Sequence, residues 1–312
     1  MNEQNANNNS SSQNSDYWAN QGVLLGQKGN IKGAIKAFKK ALEGNPRDID
    51  VWINLGIAYG KNGKPKEEIK AYREVLKLNP KYVEVWINLG VTLELIGDLD
   101  GAIGAYHKAL ELNPNEGDTW FNLGVALAKK NDFAGAEKSY KKALEIDPDD
   151  ARALINLAIV YFHTNDFQKA IEINKKALEL DSTDARAWYN LGLTHGQMDD
   201  VNAEIEAYKK ALKIDPSLDL ARFNLAVALE KIDDFESAIN AYNEIIEHIP
   251  DDAEIWVNLC MAYKNVNKFQ EAFAALRKAV ELDKELVMEM NEETAFLDDF
   301  KSRKEFKGII NL

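Results

Sequence analysis

The 312-residue chain is 46% hydrophobic and 29% charged, and its formal net charge is −13. This acidic balance argues against a nucleic-acid binder and against a protein that adsorbs to anionic membranes, because both need a basic face. The single cysteine, Cys260, excludes an intramolecular disulfide and leaves a cysteine zinc site without its usual partners. No apolar run of about 18 residues is present, and the first residues lack the features of a secretory signal. We therefore expect a cytoplasmic protein with no membrane insertion and no nucleic-acid partner.

The first predicted segment comprises residues 1–14, which are rich in Asn, Ser and Gln and almost free of apolar side chains. Such a composition cannot bury enough surface to offset the entropy lost on ordering. We expect this segment to be a disordered tail.

A 34-residue period organises the chain from residue 15 to residue 286. The six tryptophans are separated by multiples of 34, standing at Trp18, Trp52, Trp86, Trp120, Trp188 and Trp256. Leu154 and Arg222 occupy the two positions of this series that lack a tryptophan. Residues 15–286 divide into eight units of 34 residues without an insertion. Such a period is typical of stacked repeats.

Each unit is predicted to contain two amphipathic helices, because its apolar positions recur at helical spacing. The break between them falls at a residue type that tolerates the left-handed conformation. The residues at this position are Gly29, Gly63, Gly97, Asn131, Asn165, Asp199, Asp233 and Asn267. In six units the next residue is Asn or Asp, which can cap the second helix, and Lys64 and Lys268 are the exceptions. A proline that follows the second helix in six units marks its end.

The second unit carries the clearest likeness to a known repeat. Its residues Trp52, Leu55, Gly56, Tyr59, Tyr72 and Pro80 stand in the spacing of the tetratricopeptide repeat. This resemblance covers residues 15–286 and implies an all-α, right-handed superhelical solenoid of eight helix-turn-helix units. It also implies that the first helices of the units line a concave groove.

Two glutamates depart from the repeat pattern. Glu68 and Glu204 occupy a position that is alanine in the other six units, where the two helices of a unit approach closely. We expect either that the glutamate side chain runs to solvent or that these two helix pairs are looser.

The C-terminal segment, residues 287–312, is predicted to be a helical cap. It carries Phe296, Phe300, Phe306 and Ile309 at helical intervals. An uncovered apolar end of a repeat stack would promote aggregation, so we favour a cap over the alternative interpretation, a separate docking motif.

An asparagine lies two residues after the tryptophan position of every unit: Asn20, Asn54, Asn88, Asn122, Asn156, Asn190, Asn224 and Asn258. Asparagine inside a helix costs up to about 0.7 kcal/mol relative to alanine, so its recurrence suggests a purpose. Helical spacing places these amides on or beside the concave wall, where each offers donors and an acceptor to the backbone of an extended peptide. The alternative is that each amide bonds to the adjacent repeat and fixes the stacking register.

The asparagine pattern is similar to the repeat domain of the O-linked N-acetylglucosamine transferases. That resemblance implies an asparagine ladder that grips peptide backbone in the groove. No residues remain after position 312 for the glycosyltransferase domain of that family, so we expect no enzymatic activity of that kind.

Other residues of the predicted groove follow from the same register. Apolar side chains one residue before the asparagine include Ile53, Ile87, Phe121 and Tyr189, and those three residues after it include Val23, Ile57 and Val91. Acidic side chains four residues before it are Asp50, Glu84 and Asp118. Like charges in neighbouring repeats favour a basic ligand segment, although a solvated rim explains them equally well.

The sequence offers no catalytic constellation, no metal site and no cofactor motif. We therefore predict a non-enzymatic scaffold that binds an extended segment of a protein partner in its concave groove. The acidic positions favour a basic segment. The alternative is an accessory subunit of a secretion, pilus or glycosyltransferase type assembly that docks through its helix faces.

Overall fold

The structure is a computed structural model that describes residues 3–300 and Ile309. These residues form seventeen α-helices and one short 3₁₀ helix, with no strand among them. The predicted all-α fold is confirmed. The chain divides into two compact units, Met1–Val160 and Tyr161–Leu312, and the boundary lies within one helix.

In the first unit, consecutive helices pack against one another in chain order. They are α1 (Glu3–Gln27), α2 (Ile31–Gly44), α3 (Ile49–Lys61), α4 (Pro65–Leu78), α5 (Val83–Leu95), α6 (Leu99–Leu112), α7 (Gly117–Lys129) and α8 (Phe133–Ile146). Helix α9 (Ala151–His163) contains the boundary. Odd-numbered helices are the first helices of the repeats, and even-numbered helices are the second.

The second unit continues the same alternation of first and second helices. Its helices are α10 (Phe167–Leu180), α11 (Ala185–Gln197), α12 (Val201–Ile214), α13 (Asp219–Glu230), α14 (Phe235–His248), α15 (Ala253–Asn265), α16 (Phe269–Leu282) and α17 (Lys284–Thr294), followed by the 3₁₀ helix Phe296–Phe300. From α10 to α17 each helix packs against the next. None of the described helices is long and apolar enough to cross a membrane.

The predicted break between the two helices of each repeat is confirmed by the backbone. All eight residues at this position have a positive φ, from 56° at Asp199 to 81° at Gly97. The capping prediction also holds, because the side chain of Asp98 accepts a hydrogen bond from the Gly101 amide at 3.0 Å, and five other repeats do the same. Lys64 and Lys268 make no such side-chain bond.

A buried aromatic residue of the second helix packs against a small residue of the first helix. A Cβ atom on Gly56 would lie 2.6 Å from the ring of Tyr72, and one on Gly90 would lie 2.5 Å from that of Tyr106. Both tyrosines are fully buried. The two helices approach this closely because the first helix carries no side chain there.

The recurring tryptophan ties its helix to the preceding loop. The indole nitrogen of Trp52 donates to the carbonyl of Pro46 at 2.9 Å, and the other tryptophans from Trp86 to Trp256 make the equivalent bond. Arg222 takes over this role where the tryptophan is missing, because its Nη2 donates to the Pro216 carbonyl at 2.6 Å. The interrupted tryptophan series therefore preserves one interaction with a different side chain.

The expectation for Glu204 was wrong, because this glutamate lies inside its helix pair. Glu204 is 5% exposed and sits where Gly196 leaves space, since a Cβ on Gly196 would meet the Glu204 carboxylate at 2.7 Å. Its carboxylate pairs with Lys231 at 3.0 Å. Glu68 is half-buried beside Gly60 and accepts a hydrogen bond from the Tyr72 hydroxyl at 3.1 Å. A glycine on the first helix accommodates each glutamate and keeps the pair close.

The two ends of the chain differ in what the structure describes. Helix α1 begins at Glu3, within the segment predicted as a tail, and is anchored where the buried Ser15 donates to the Ala41 carbonyl at 2.8 Å. The disorder of residues 1–14 stays a prediction. At the other end, Phe300 is buried with its ring 5.2 Å from that of Phe273. Phe306 of the predicted cap lies outside the described residues.

Candidate functional site

The asparagines of the first helices lie at the protein surface at all but one position. Asn20 and Asn88 are exposed, and Asn258 is buried at 8% exposure. The remaining five are half-buried, namely Asn54, Asn122, Asn156, Asn190 and Asn224. A half-buried amide on a helix is fixed in direction by its neighbours while its polar atoms stay within reach of a ligand.

In the first compact unit of the structure, three of these amides make no internal hydrogen bond. Among the described residues, the side chains of Asn54, Asn88 and Asn122 have no hydrogen-bond partner. The Asn156 amide differs, because its Nδ2 donates to the Arg152 carbonyl one turn earlier at 2.9 Å. Three successive repeats therefore present an unused donor and acceptor set at the same position of their first helices.

In the second compact unit of the structure, which begins at Tyr161, the asparagines make different contacts. Asn224 Nδ2 donates to the hydroxyl of Tyr189 at 3.3 Å, which joins the first helices of two neighbouring repeats. Asn190 Nδ2 is buried and has no partner among the described residues. Asn224 therefore makes a bond to the adjacent repeat of the kind that the alternative expects, and this bond leaves part of that amide's hydrogen-bonding capacity free.

Apolar side chains lie beside the asparagines. Ile53, Ile87, Phe121 and Tyr189, each one residue before an asparagine, are half-buried. The residues three positions after it are more open in the first repeats, where Val23 and Ile57 are each 39% exposed and Val91 is 47% exposed. Exposed apolar side chains in register with a polar amide form a surface that can hold both the side chains and the backbone of a peptide.

A cavity of about 170 Å³ brings these two kinds of residue together between α1, α2 and α3. Asn54 and Ile57 line it from α3, Val23 lines it from α1, and Phe38 closes it from α2. Gly26 leaves its wall open, because a Cβ there would touch only Ala34 at 3.9 Å. The cavity therefore combines an unused amide with apolar walls.

The predicted acidic positions are not equivalent. Asp118 is exposed and pairs with Arg152 of the next repeat at 2.7 Å, so its charge is compensated internally. Asp50 and Glu84 are exposed and form no ion pair with any described residue. The uncompensated negative charge of this series lies in the second and third repeats.

A group of carboxylates at the ends of first helices was not anticipated from the sequence. Glu94 accepts a hydrogen bond from the Tyr106 hydroxyl at 3.0 Å and pairs with Lys129 of the next repeat at 2.8 Å. Burial, and then the charge of Glu94, raises the pKa of Tyr106 above its usual range, so the phenol remains a donor. The signal was present in the sequence, because a glutamate stands at one of two positions in four of the five repeats whose second helix carries the buried tyrosine. The fourth repeat, with Tyr140, carries alanine at both positions.

Glu230 occupies the position of Glu94 in the seventh repeat. Its Oε1 atom is buried and has no hydrogen-bond partner within 3.5 Å among the described residues. Burial raises the pKa of Glu230 to about 7, and the neighbouring Tyr242 hydroxyl only partly offsets this shift.

Comparison with known families gives matches along most of the chain. Residues 2–191 match the family model described as the Cilia and flagella-associated protein 70 C-terminal domain. Residues 185–218 and 253–286 match one tetratricopeptide repeat model, and residues 220–252 match another. No curated protein matches the chain significantly.

Several solved structures share the fold. A crystal structure of MamA protein is 26% identical, with a TM-score of 0.53 over 55% of this chain and 94% of that one. YrrB, described as a TPR protein with an unusual peptide-binding site, is 24% identical, with a TM-score of 0.53 over 60% of this chain and 96% of its own. PilW, described as a type IV pilus biogenesis factor, is 18% identical, with a TM-score of 0.59 over 66% and 96%. The likeness to YrrB and PilW concerns the fold alone.

Proposed function

This chain belongs to the tetratricopeptide repeat family described by the model of the Cilia and flagella-associated protein 70 C-terminal domain, and from that premise we propose that it is a non-enzymatic scaffold for protein partners. Its first helices bind an extended peptide segment through the asparagine ladder, defined here as Asn54, Asn88, Asn122, Asn156, Asn190, Asn224 and Asn258. The protein acts in the cytoplasm, and it needs no cofactor.

One observation carries this proposal. The amides of Asn54, Asn88 and Asn122 are accessible, stand at the same position of three successive first helices, and have no internal partner among the described residues. An extended peptide presents unpaired N–H and C=O groups at regular intervals, and one side-chain amide can satisfy one of each. The similarity to the O-linked N-acetylglucosamine transferase repeats supports the same role for these amides.

Two unpaired carboxylates beside the ladder favour a basic peptide segment at the second and third repeats. Asp50 and Glu84 lack internal partners, whereas Asp118 is already paired with Arg152. Lysine or arginine side chains of a bound segment would meet the first two carboxylates. Such contacts mainly set specificity and association rate. The apolar side chains of Ile53, Ile87 and Phe121 supply contact area beside the amides.

The test is the binding of a library of extended peptides to the full chain and to a variant with Asn54, Asn88 and Asn122 changed to alanine. We expect peptides of many sequences to bind the wild type and to lose affinity in the variant, because backbone contacts do not depend on sequence. Asn202→Ala, at an exposed position of α12, is the matched control. Unchanged binding by an equally folded triple variant contradicts the proposal.

A second candidate function is docking of the chain into a larger assembly through its second helices. A cavity of about 500 Å³ lies between α2, α3 and α4, with Leu42, Trp52 and Ala71 among its apolar lining residues. Lys39 and Lys70 stand at its rim. Partner binding that survives the triple asparagine change and is lost in Lys39→Glu/Lys70→Glu would favour this function.

A further inference from the structure

The carboxylate at the end of a first helix forms a small polar site, which we call the acid niche. In the third repeat the niche consists of Glu94 and the Tyr106 hydroxyl, and Lys129 of the following repeat closes it. The Lys129 Nζ atom lies 2.8 Å from Glu94 Oε1, and the tyrosine bonds to the other carboxylate oxygen. Both oxygens of a largely buried carboxylate are therefore satisfied.

The sixth repeat closes its niche in the same way with a glutamate from the second helix. The Glu204 carboxylate is buried and lies 3.0 Å from Lys231 Nζ, again a lysine of the following repeat. Lys129 and Lys231 occupy the same position in their repeats, seven residues after Asn122 and Asn224. Two helical turns separate these residues, so each lysine lies on the same helix face as its asparagine and reaches the niche from that side.

The seventh repeat has the niche without the lysine. Glu230 stands at the position of Glu94, but the position of the closing lysine is held by Asn265, which is exposed. Glu230 Oε1 and the Tyr242 hydroxyl are both buried, and neither has a hydrogen-bond partner within 3.5 Å among the described residues. Each is the other's hydrogen-bonding neighbour at a longer separation. A buried carboxylate left with only this longer contact is costly, because a buried polar group without a close partner loses its hydration and gains little in return.

We propose that the acid niche of Glu230 is a recognition site for a lysine side chain of the bound peptide segment. This inference rests on the proposed function, since the segment must lie along the first helices for its side chain to reach the niche. The occupant's chemistry follows from the protein itself, in which Lys129 and Lys231 fill the equivalent niches with a primary ammonium group.

The lysines next in sequence to Glu230 and Asn265 have partners of their own and do not fill the niche of Glu230. Lys231, the next residue in the chain, is engaged by Glu204 at 3.0 Å. Lys264, on the packed helix α15, has a partner of its own. The high pKa of Glu230 reflects burial without a cation, and an ammonium group in the niche would lower it.

The test uses the full chain with two peptide libraries that differ only in one residue type. One contains a single lysine at varied positions, and the other contains glutamine in its place. We expect the lysine library to bind about tenfold more tightly, as a hydrogen-bonded charge contact does. Asn265→Lys, which supplies the missing lysine, and Glu230→Gln, which removes the charge, should each abolish this preference while leaving binding of the glutamine library unchanged.

An independent readout keeps the proposal testable without a peptide. Carboxyl-carbon NMR should show the pKa of Glu230 falling in Asn265→Lys, because the new ammonium group pairs with it. A lysine preference that persists in both variants, or a Glu230 pKa unmoved by Asn265→Lys, overturns the inference. If neither library binds the wild type, the proposed function fails. If both bind equally and lose affinity in the triple asparagine variant, only the lysine site fails.

Discussion

Gly56 faces the ring of Tyr72 with space for a hydrogen atom and no more, since a Cβ on the glycine would lie 2.6 Å from the ring. The contact joins the two helices of the second repeat across their closest approach. The seventh repeat carries Ala226 at the same position against Tyr242, so a methyl group can be accommodated there when the ring adjusts. The glycine is therefore a packing residue of the helix pair.

Gly56→Ala is expected to destabilise the protein by about 1 to 2 kcal/mol, because the buried Tyr72 ring must shift to admit the methyl group. The matched control is Gly104→Ala, in the exposed interior of α6, where a Cβ would meet nothing within 4 Å. That change should stabilise the protein by about 0.5 to 1 kcal/mol through helix propensity. Denaturant unfolding of both variants measures the two changes in the free energy of unfolding. A change in the same direction for both variants would contradict this prediction.

The thiol of Cys260 is expected to be inert in the folded protein. The residue is fully buried, and burial raises the pKa of its thiol to about 12. A thiolate is the reactive form, so a thiol reagent should label the native chain only as fast as the chain opens. Labelling followed over increasing denaturant should track unfolding of the second unit. Rapid labelling in the absence of denaturant would show that α15 is not packed as described.

Local features of this fold were predictable because single residues determine them. The left-handed backbone at Asn131 and Asp199 and the cap formed by Asp98 follow from side chains that act on their own helix ends. The tryptophan period located these positions in advance. What failed was Glu204, because its burial depends on Gly196 opposite and on Lys231 of the next repeat.

In the candidate site, too, features set within one repeat were predictable and contacts between repeats were not. The sequence predicted that the asparagines share one helix face. It did not reveal that the Asn224 amide donates to the Tyr189 hydroxyl while the Asn88 side chain has no hydrogen-bond partner among the described residues. Such differences arise from side chains of two repeats that meet in space, and a one-repeat pattern does not contain them. The niche of Glu230 was missed for this reason, since it is defined by Asn265 standing where Lys129 stands in another repeat.

Removal of the two unpaired carboxylates should weaken binding of a basic peptide in particular. We expect Asp50→Asn/Glu84→Gln to lower the affinity of the full chain for a lysine- and arginine-rich extended peptide by a factor of about 3 to 10 at low salt, because exposed charge contacts are individually weak. The loss should shrink as salt is added. Asp118→Asn is the control, because that carboxylate is already paired with Arg152. An equal loss in the control would show that overall charge, and not these positions, attracts the peptide.

The stability of the chain should depend on pH through Glu230. Its pKa is raised from the ordinary value of 4.5 to about 7, so the folded state holds a proton that the unfolded state releases between these values. The stabilising effect of the protonated carboxyl is complete below pH 4.5 and is lost as the pH rises through 7. Tyr242 lies beside Glu230, and burial together with the charge of Glu230 raises the pKa of that phenol above its usual range, so it keeps its proton throughout this window. Glu254 is the other carboxylate near Tyr242.

Glu230→Gln removes this dependence, because the amide is neutral at every pH. We expect the variant to gain stability over the wild type as the pH rises from 5 to 8, reaching about 1 to 3 kcal/mol after allowance for partial solvent exposure. Denaturant unfolding of both proteins at several pH values measures the difference, and the comparison cancels every contribution that the two proteins share. Asn265→Lys should flatten the profile in the same way, because an added ammonium group stabilises the ionised carboxylate. A constant difference between wild type and Glu230→Gln across this range would show that the carboxyl is not buried, and the lysine site would lose its basis.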